Sequence, residues 1–246
     1  MSTFSAKHKK ARLSVIISII VLSVIFVASA IIFLVCSFKL LDGKREVRGA
    51  IICIDPGHGF ADSGATNENI EPYTEAQINF AIARNIRESL VSRGYNAVLL
   101  HDFENIPDGY DADGDGVFDV EERVSYSDDI GAQVYISIHC DSFPTNDTVN
   151  GTRIYYQLTD NITCASLSAS IVDAIDESDI NRKESLLKPV FEDDAFYVIR
   201  NRENLASILI ECGFITNRAD AASLTSPDYQ ADFANAVVDG IDDFCN

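Results

Sequence analysis

The chain has 246 residues, 47% of them hydrophobic and 23% charged, so it is not an intrinsically disordered chain and can bury a core. Its formal net charge is −19, with 19 basic residues against 38 acids. That balance excludes nucleic acid as the main partner, because phosphate neutralisation needs clustered Lys and Arg. Trp is absent, which argues against an aromatic sugar-stacking platform.

The charge is unevenly divided. Residues 1–12 form a basic flank with Lys7, Lys9, Lys10 and Arg12 and no acid. The other 15 basic residues face all 38 acids, which leaves about −23 on residues 13–246. Residues 13–36 follow as an apolar run broken only by serines. A spanning helix needs roughly 20 apolar residues. A cleaved secretory segment has an apolar core of only about 7–15. The run therefore predicts one transmembrane anchor, with the protein secreted if the segment is cleaved. The basic flank predicts a cytoplasmic N-terminus and an extracytoplasmic body, bound to the membrane through this helix. Residues 37–49 read as a charged linker, and residues 50–246 as one body.

Within the body, Gly49 to Asp55 is a short apolar run closed by Pro56-Gly57, the pattern of a buried strand followed by a turn. A polar, Gly-rich loop runs to about Glu71. Ile78, Ile82, Ile86 and Leu90 recur at helical spacing over residues 76–93, and Gly94 supplies the C-terminal cap. Strands are expected over 96–100, 134–138, 151–157 and 207–210. Helices are expected over about 120–130, 164–175 and 227–244, and residues 176–194 read as irregular. Strands alternating with helices predict an α/β fold with helices on both faces of the sheet. Cys36, Cys53, Cys140, Cys164, Cys212 and Cys245 match neither a zinc knuckle nor a disulfide framework.

Three strands end in ionisable residues: Asp55-Pro56-Gly57-His58, Ser137-Ile138-His139 and Ile210-Glu211. Sites in open α/β sheets gather outside the carboxyl ends of strands. Two His and a carboxylate can hold zinc while leaving a position for water.

These three stretches, extended to Asp55-Pro56-Gly57-His58-Gly59 and to Ile210-Glu211-Cys212-Gly213-Phe214-Ile215-Thr216-Asn217, resemble the signatures of the zinc-dependent N-acetylmuramoyl-L-alanine amidases of bacterial cell-wall turnover. The resemblance covers about residues 50–245. It implies a mixed, mostly parallel sheet and a Zn2+ held by His58, a Glu and His139. The Glu opens a helix in the form Glu-x-x-aliphatic-Asn-large apolar. Glu75-Ala76-Gln77-Ile78-Asn79-Phe80 fits that form, with Glu71 and Glu68 as neighbouring alternatives. Glu211 matches the catalytic acid. Zinc would activate water, with Glu211 as general base. The implied substrate is peptidoglycan, cut at the amide between N-acetylmuramic acid and L-alanine. Arg200 lies in a stretch similar to one beside the family's site, where it could hold a stem-peptide carboxylate. Glu122-Arg123 resembles a helix-borne pair and reads as structural. Asp55 is a candidate partner for a ligand or simply a turn former.

The chain departs from the family pattern at three places. Phe60 stands where a second Gly is usual. Cys140-Asp141 replaces Ala-Asn, and Ala206 replaces a Pro. Cys140 and Cys212 adjoin His139 and Glu211, but alternation along a strand turns them to the opposite face, so both read as packing residues.

A second motif is local. Asp111, Asp113, Asp115, Gly116, Val117, Asp119 and Glu122 fit a calcium loop, with Gly116 at the sharp turn, Val117 offering its carbonyl and the acids their carboxylates. Ca2+ is therefore a possible second ion, with a solvated acidic loop as the alternative. Two other readings compete with the cell-wall amidase: a zinc peptidase of similar architecture, and a non-catalytic calcium-stabilised surface protein. Cell separation, spore cortex modification and lysis are all compatible roles, and the sequence names no protein regulator.

Overall fold

The computed structural model describes residues 2–111, 113–157, 162–178, 180, 185–190, 196–200 and 206–246, with side chains at 16–40 and from 47 onward apart from that of residue 190. It divides into two units, Met1–Asp42 and Gly43–Asn246.

In the first unit, helix α1 begins; it runs over Ser2–Gly49. Its stretch Ile16–Leu40 has 25 residues with a mean hydropathy of 3.2, and none of it is buried. At a rise of about 1.5 Å per residue it exceeds the ~30 Å of a hydrocarbon layer. The residues expected as a linker, 37–49, lie within α1.

The second unit is built on six strands: β1 (Ile51–Pro56), β2 (Asn96–Leu99), β3 (Val134–Asp141), β4 (Arg153–Gln157), β5 (Leu186–Val190) and β6 (Ala206–Phe214), in the order β2-β1-β3-β6-β4-β5. β2, β1, β3 and β6 run parallel; β4 is antiparallel to β6 and parallel to β5. The sheet is thus mixed and mostly parallel, as the family resemblance implies.

Two faces follow from strand alternation. Ile52, Ile54, Ile136, Ile138, Ile208 and Ile210 are all fully buried. Helices α2 (Glu75–Ser92), α4 (Ile162–Glu177) and α6 (Pro227–Cys245) pack together on that side. On the other side Cys53, Tyr135 and Leu209 join Phe118, Val198 and Ile199 in a core that α3 (Val120–Asp129) covers through Val124 and Tyr126.

Local chemistry explains the helices. The Thr74 side chain accepts from Gln77 N while Gln77 caps Thr74 N in return, and Ile78, Ile82, Ile86 and Leu90 form the buried stripe of α2. Asp119 and Glu122 make the same reciprocal cap at α3. Ser226 caps α6, with Pro227 in its first turn.

Two elements differ from the sequence expectation. Part of the stretch expected to be irregular forms the edge strand β5, and a short helix, α5 (Arg218–Leu224), follows β6. An edge position tolerates Pro189, which no central strand would.

Candidate metal centre and active site

His58 leaves the end of β1 in a tight turn. Its φ of 64° lies in the left-handed region, uncommon for a residue with a side chain, and Phe60 follows at 56°. That conformation explains why glycine is usual at position 60. Phe60 keeps it while packing on His101 and Phe118, at ring distances of 4.9 and 6.2 Å.

The turn is fastened from below. Buried Arg123 donates to Asp55 Oδ1 at 2.6 Å, Pro56 O at 2.9 Å, Phe118 O at 2.7 Å and His58 O at 2.5 Å. Asp55 also receives hydrogen bonds from the hydroxyls of Tyr135 and Ser137. Burial raises the Asp55 carboxyl, but Arg123 and Tyr135 outweigh it and hold the group below the usual carboxylate range. Asp55 is therefore a buried anchor beneath the turn and touches neither His ring through a hydrogen bond. Arg123 is structural, as expected, and Glu122 serves as the cap of α3.

Three side chains from three elements converge: His58 after β1, Glu75 at the first turn of α2 and His139 near the end of β3. His58 Nε2 and His139 Nδ1 each lie 3.2 Å from Glu75 Oε1. Glu68 and Glu71, the alternatives to Glu75, do not join this group. Glu75 is locked in place. Ala65 N donates to its Oε2 at 2.8 Å, and Asn79 Nδ2 and Cys140 N both donate to Oε1 at 3.3 Å. Burial opposes ionisation of Glu75, yet the two imidazoles overcome it and hold its pKa far below normal.

His58 responds in the opposite sense. Burial lowers its pKa, but Glu75 and Asp62 override that and push it up to about 9. The pocket between carboxylate and imidazole thus favours a positive charge. Two imidazole nitrogens and one carboxylate oxygen form a donor set suited to zinc.

Asp62 is the residue the sequence did not single out. A short bridge between Gly59 and Asp62 folds the loop back, so that His58 Nδ1 lies 2.6 Å from Asp62 Oδ2. Such a contact fixes the ring and presents Nε2 to a metal. Asn79 likewise escapes a reading by ligand type. It joins Glu75 to the β1 exit by also donating to Gly57 O at 3.1 Å.

Glu211 sits on β6 in direct register with His139 on β3. It is only 9% exposed, and its Oε2 is buried without a hydrogen-bond partner among the described residues. Burial first, then the nearby Asp141 and Glu75 carboxylates, raise its pKa well above normal. Cys140 and Cys212 are both buried, 2% exposed, in keeping with their reading as packing residues. Arg200 stacks over Tyr197, its guanidinium carbon 5.4 Å from the ring centre.

In the acidic loop, carboxylates of Asp111, Asp113 and Asp115 gather with their oxygens within 4.8 Å of one another. Val117 N donates to Asp115 Oδ1 at 2.7 Å. The last two loop acids are engaged elsewhere: Asp119 Oδ1 accepts from Glu122 N, and Glu122 Oε2 accepts from Asp119 N.

Comparison with known proteins places these features in a family. A family model described as N-acetylmuramoyl-L-alanine amidase matches residues 52–243. The uncharacterized protein YqiI of Bacillus subtilis is 30% identical over 205 residues, covering 81% of this chain and 87% of that protein. The N-acetylmuramoyl-L-alanine amidase LytC of the same organism is 29% identical over 197 residues, covering 80% of this chain and 36% of LytC. Among solved structures, the N-acetylmuramoyl-L-alanine amidase AmiC2 of Nostoc punctiforme superposes with a TM-score of 0.65 at 28% identity, over 79% of this chain and 96% of that one.

Proposed function

This chain belongs to the N-acetylmuramoyl-L-alanine amidase family, and on that footing we propose that it hydrolyses the amide between N-acetylmuramic acid and L-alanine in peptidoglycan, using Zn2+ held by His58, Glu75 and His139 and Glu211 as general base. The observation that carries this reading is the convergence of three metal-type donors beside a buried carboxylate oxygen with no partner among the described residues.

Zinc would supply a Lewis acid for the amide carbonyl and lower the pKa of water from 15.7 to about 7. The protein residues do the rest. His58 and His139 bind as neutral imidazoles, and Glu75 brings one negative charge. Asp62 holds the His58 ring in one orientation. Glu211 takes a proton from the attacking water and delivers it to the departing L-alanine nitrogen. Its buried setting beside other carboxylates suits both duties, because both make the carboxylate a stronger base. Arg200 is proposed to meet a stem-peptide carboxylate.

The test is digestion of intact sacculi and of muropeptides, with mass analysis and detection of new N-termini on L-alanine. Expected are lactyl-amide cleavage products, lost on chelation and restored by zinc. Cleavage of ordinary peptides but not of this amide would favour the zinc peptidase instead.

Helix α1 is proposed to tether the enzyme to the membrane with residues 50–246 outside the cytoplasm; cleavage after it would release the same body. The loop around Asp111, Asp113 and Asp115 is proposed to take Ca2+, on the strength of its twelve-residue match and the gathered carboxylates.

A further inference from the structure

Arg153 opens β4 and is the register partner of Glu211 on β6. Partners directly opposite in a sheet share a face, so Arg153 leaves the sheet on the side of Glu211. Across the strand order β1-β3-β6-β4, the edge formed by the carboxyl ends of the three parallel strands and the amino end of β4 thus carries His58, His139, Glu211 and Arg153.

An irregularity in β6 supports the arginine. His139 pairs with Glu211, but Asp141 pairs with Phe214, so β6 carries one extra residue there. Such a bulge resets the alternation and returns Phe214 to the face of Glu211. The guanidinium of Arg153 lies over the Phe214 ring, 4.5 Å from its centre. One edge leans on Asp141, with Nη1 3.5 Å from Oδ2. Tyr155, two residues along β4, lies within hydrogen-bond reach, and its ring meets Phe196 edge-on at 5.0 Å.

The arginine is not fully used by the described residues. Among them its Nε is buried without an acceptor, the side chain keeps 22% of its surface exposed, and Glu211 Oε2 across the strand gap also has no partner. A buried donor left open is unfavourable, and an acceptor that reaches the guanidinium recovers that cost. A guanidinium stacked on an aromatic ring, with an unfilled N–H, is built to receive a planar anion.

Position selects the anion. Adjacent strands are about 4.8 Å apart. One peptide residue spans roughly 3.3–3.6 Å. If Glu211 protonates the L-alanine nitrogen, Arg153 stands one residue further along the leaving peptide. We propose that Arg153 binds the free carboxylate on the second residue of the stem peptide, so that the enzyme discriminates acidic stems from stems amidated at that position. This rests on the amidase reading above.

The test compares the zinc-loaded full-length enzyme with its Arg153→Gln and Arg153→Lys variants on two N-acetylmuramoyl dipeptides. These differ only in a carboxylate or carboxamide on the second residue. The wild type is expected to show at least a tenfold higher kcat/KM on the acid. Arg153→Gln should collapse that ratio toward one, and Arg153→Lys should retain part of it. An unchanged ratio in Arg153→Gln, an equal loss on both substrates, or a wild type that does not discriminate overturns the proposal. If the zinc-loaded wild type cleaves neither compound, the amidase reading fails by itself. Calorimetric binding of the two free product dipeptides then decides on Arg153. Tighter binding of the acid by wild type, lost in Arg153→Gln, supports the subsite; equal binding of both overturns it.

Discussion

Gly57→Ala tests the site through a single methyl group. A Cβ at Gly57 would lie 2.2 Å from both Cε1 and Nε2 of His139 and 2.6 Å from Cδ2. Carbon contacts settle near 3.5–4.0 Å, so either ring or backbone must retreat by about 1.3 Å or more. The backbone is the harder to move. Gly57 N donates to Ile138 O at 2.9 Å, Asn79 donates to Gly57 O at 3.1 Å, and Arg123 grips the carbonyls of Pro56 and His58 on either side. Nor does strain blur the experiment, because Gly57 is not among the glycines with a left-handed φ. The ring therefore yields. Zinc–nitrogen bonds are about 2.0–2.1 Å with a tolerance of roughly 0.2 Å, so a shift this large removes His139 from the ligand set. Losing an outer-shell partner costs about 10–100-fold in metal affinity, and losing a ligand should cost at least the upper figure. The assay is zinc affinity by competition with a chromophoric chelator, alongside muropeptide turnover and circular dichroism. A folded Gly57→Ala protein that holds zinc within about tenfold of wild type and keeps its turnover would refute the steric reasoning.

Glu211→Gln should keep zinc at wild-type stoichiometry and lose about 10²–10⁴-fold in kcat; full activity in muropeptide digests would sink its role as base. Arg123→Met should cost about 3–5 kcal/mol, because Asp55 is left charged and buried. By calorimetry that appears as a melting shift of roughly 10 °C, and a shift under about 2 °C would contradict the anchoring role. In the metal-free protein, the raised His58 pKa contributes stability that is complete below its unfolded value of 6.5 and lost as pH rises through about 9. Zinc must displace that proton, so competition titrations should show affinity falling about tenfold per pH unit on going from pH 8 toward 7; a flat profile would remove the proton from the exchange. Calcium titration should show binding and a thermal upshift that Asp113→Ala abolishes, and absence of both in the wild type would remove the ion from the loop.

Much of this site is written in adjacent letters. A strand running into Pro-Gly-His and two strands ending in His and Glu place three ionisable residues at the same edge of a parallel sheet, because parallel strands bring their carboxyl ends together. Glu75 is legible only through the family resemblance of Glu75-Ala76-Gln77-Ile78-Asn79-Phe80; the capping box of Thr74 and Gln77 that fixes its place at the start of α2 is seen in the fold. What escapes is geometry that only the folded loop creates. The contact of Asp62 with His58 depends on the bridge between Gly59 and Asp62, not on a helical i,i+4 relation. The role of Arg153 depends on a β4–β6 register and a β6 bulge that no local pattern announces. β5 is hidden by Lys188 and Pro189, which break an apolar run but suit an edge. The seven residues of α5 are too few for a helical period to stand out.

The acid–base pattern also bears on how the enzyme reaches its substrate. Past the basic flank the chain carries about −23, and cell-wall polymers are often anionic as well. General attraction therefore cannot concentrate this protein on the wall. The positive groups of the proposed site would act at short range: the cation that His58, Glu75 and His139 are proposed to hold, and the guanidinium of Arg153 one strand beyond Glu211. At physiological ionic strength such fields decay over about 8 Å, so they orient a bound strand rather than recruit one. Recruitment is then left to confinement. An apolar helix of 25 residues can supply it without any contact to the wall, by holding the body within the layer where its substrate lies. The acidic surface is compatible with that role: repulsion from anionic polymer would keep the body mobile, while the proposed metal and Arg153 would select the amide and the stem that fit.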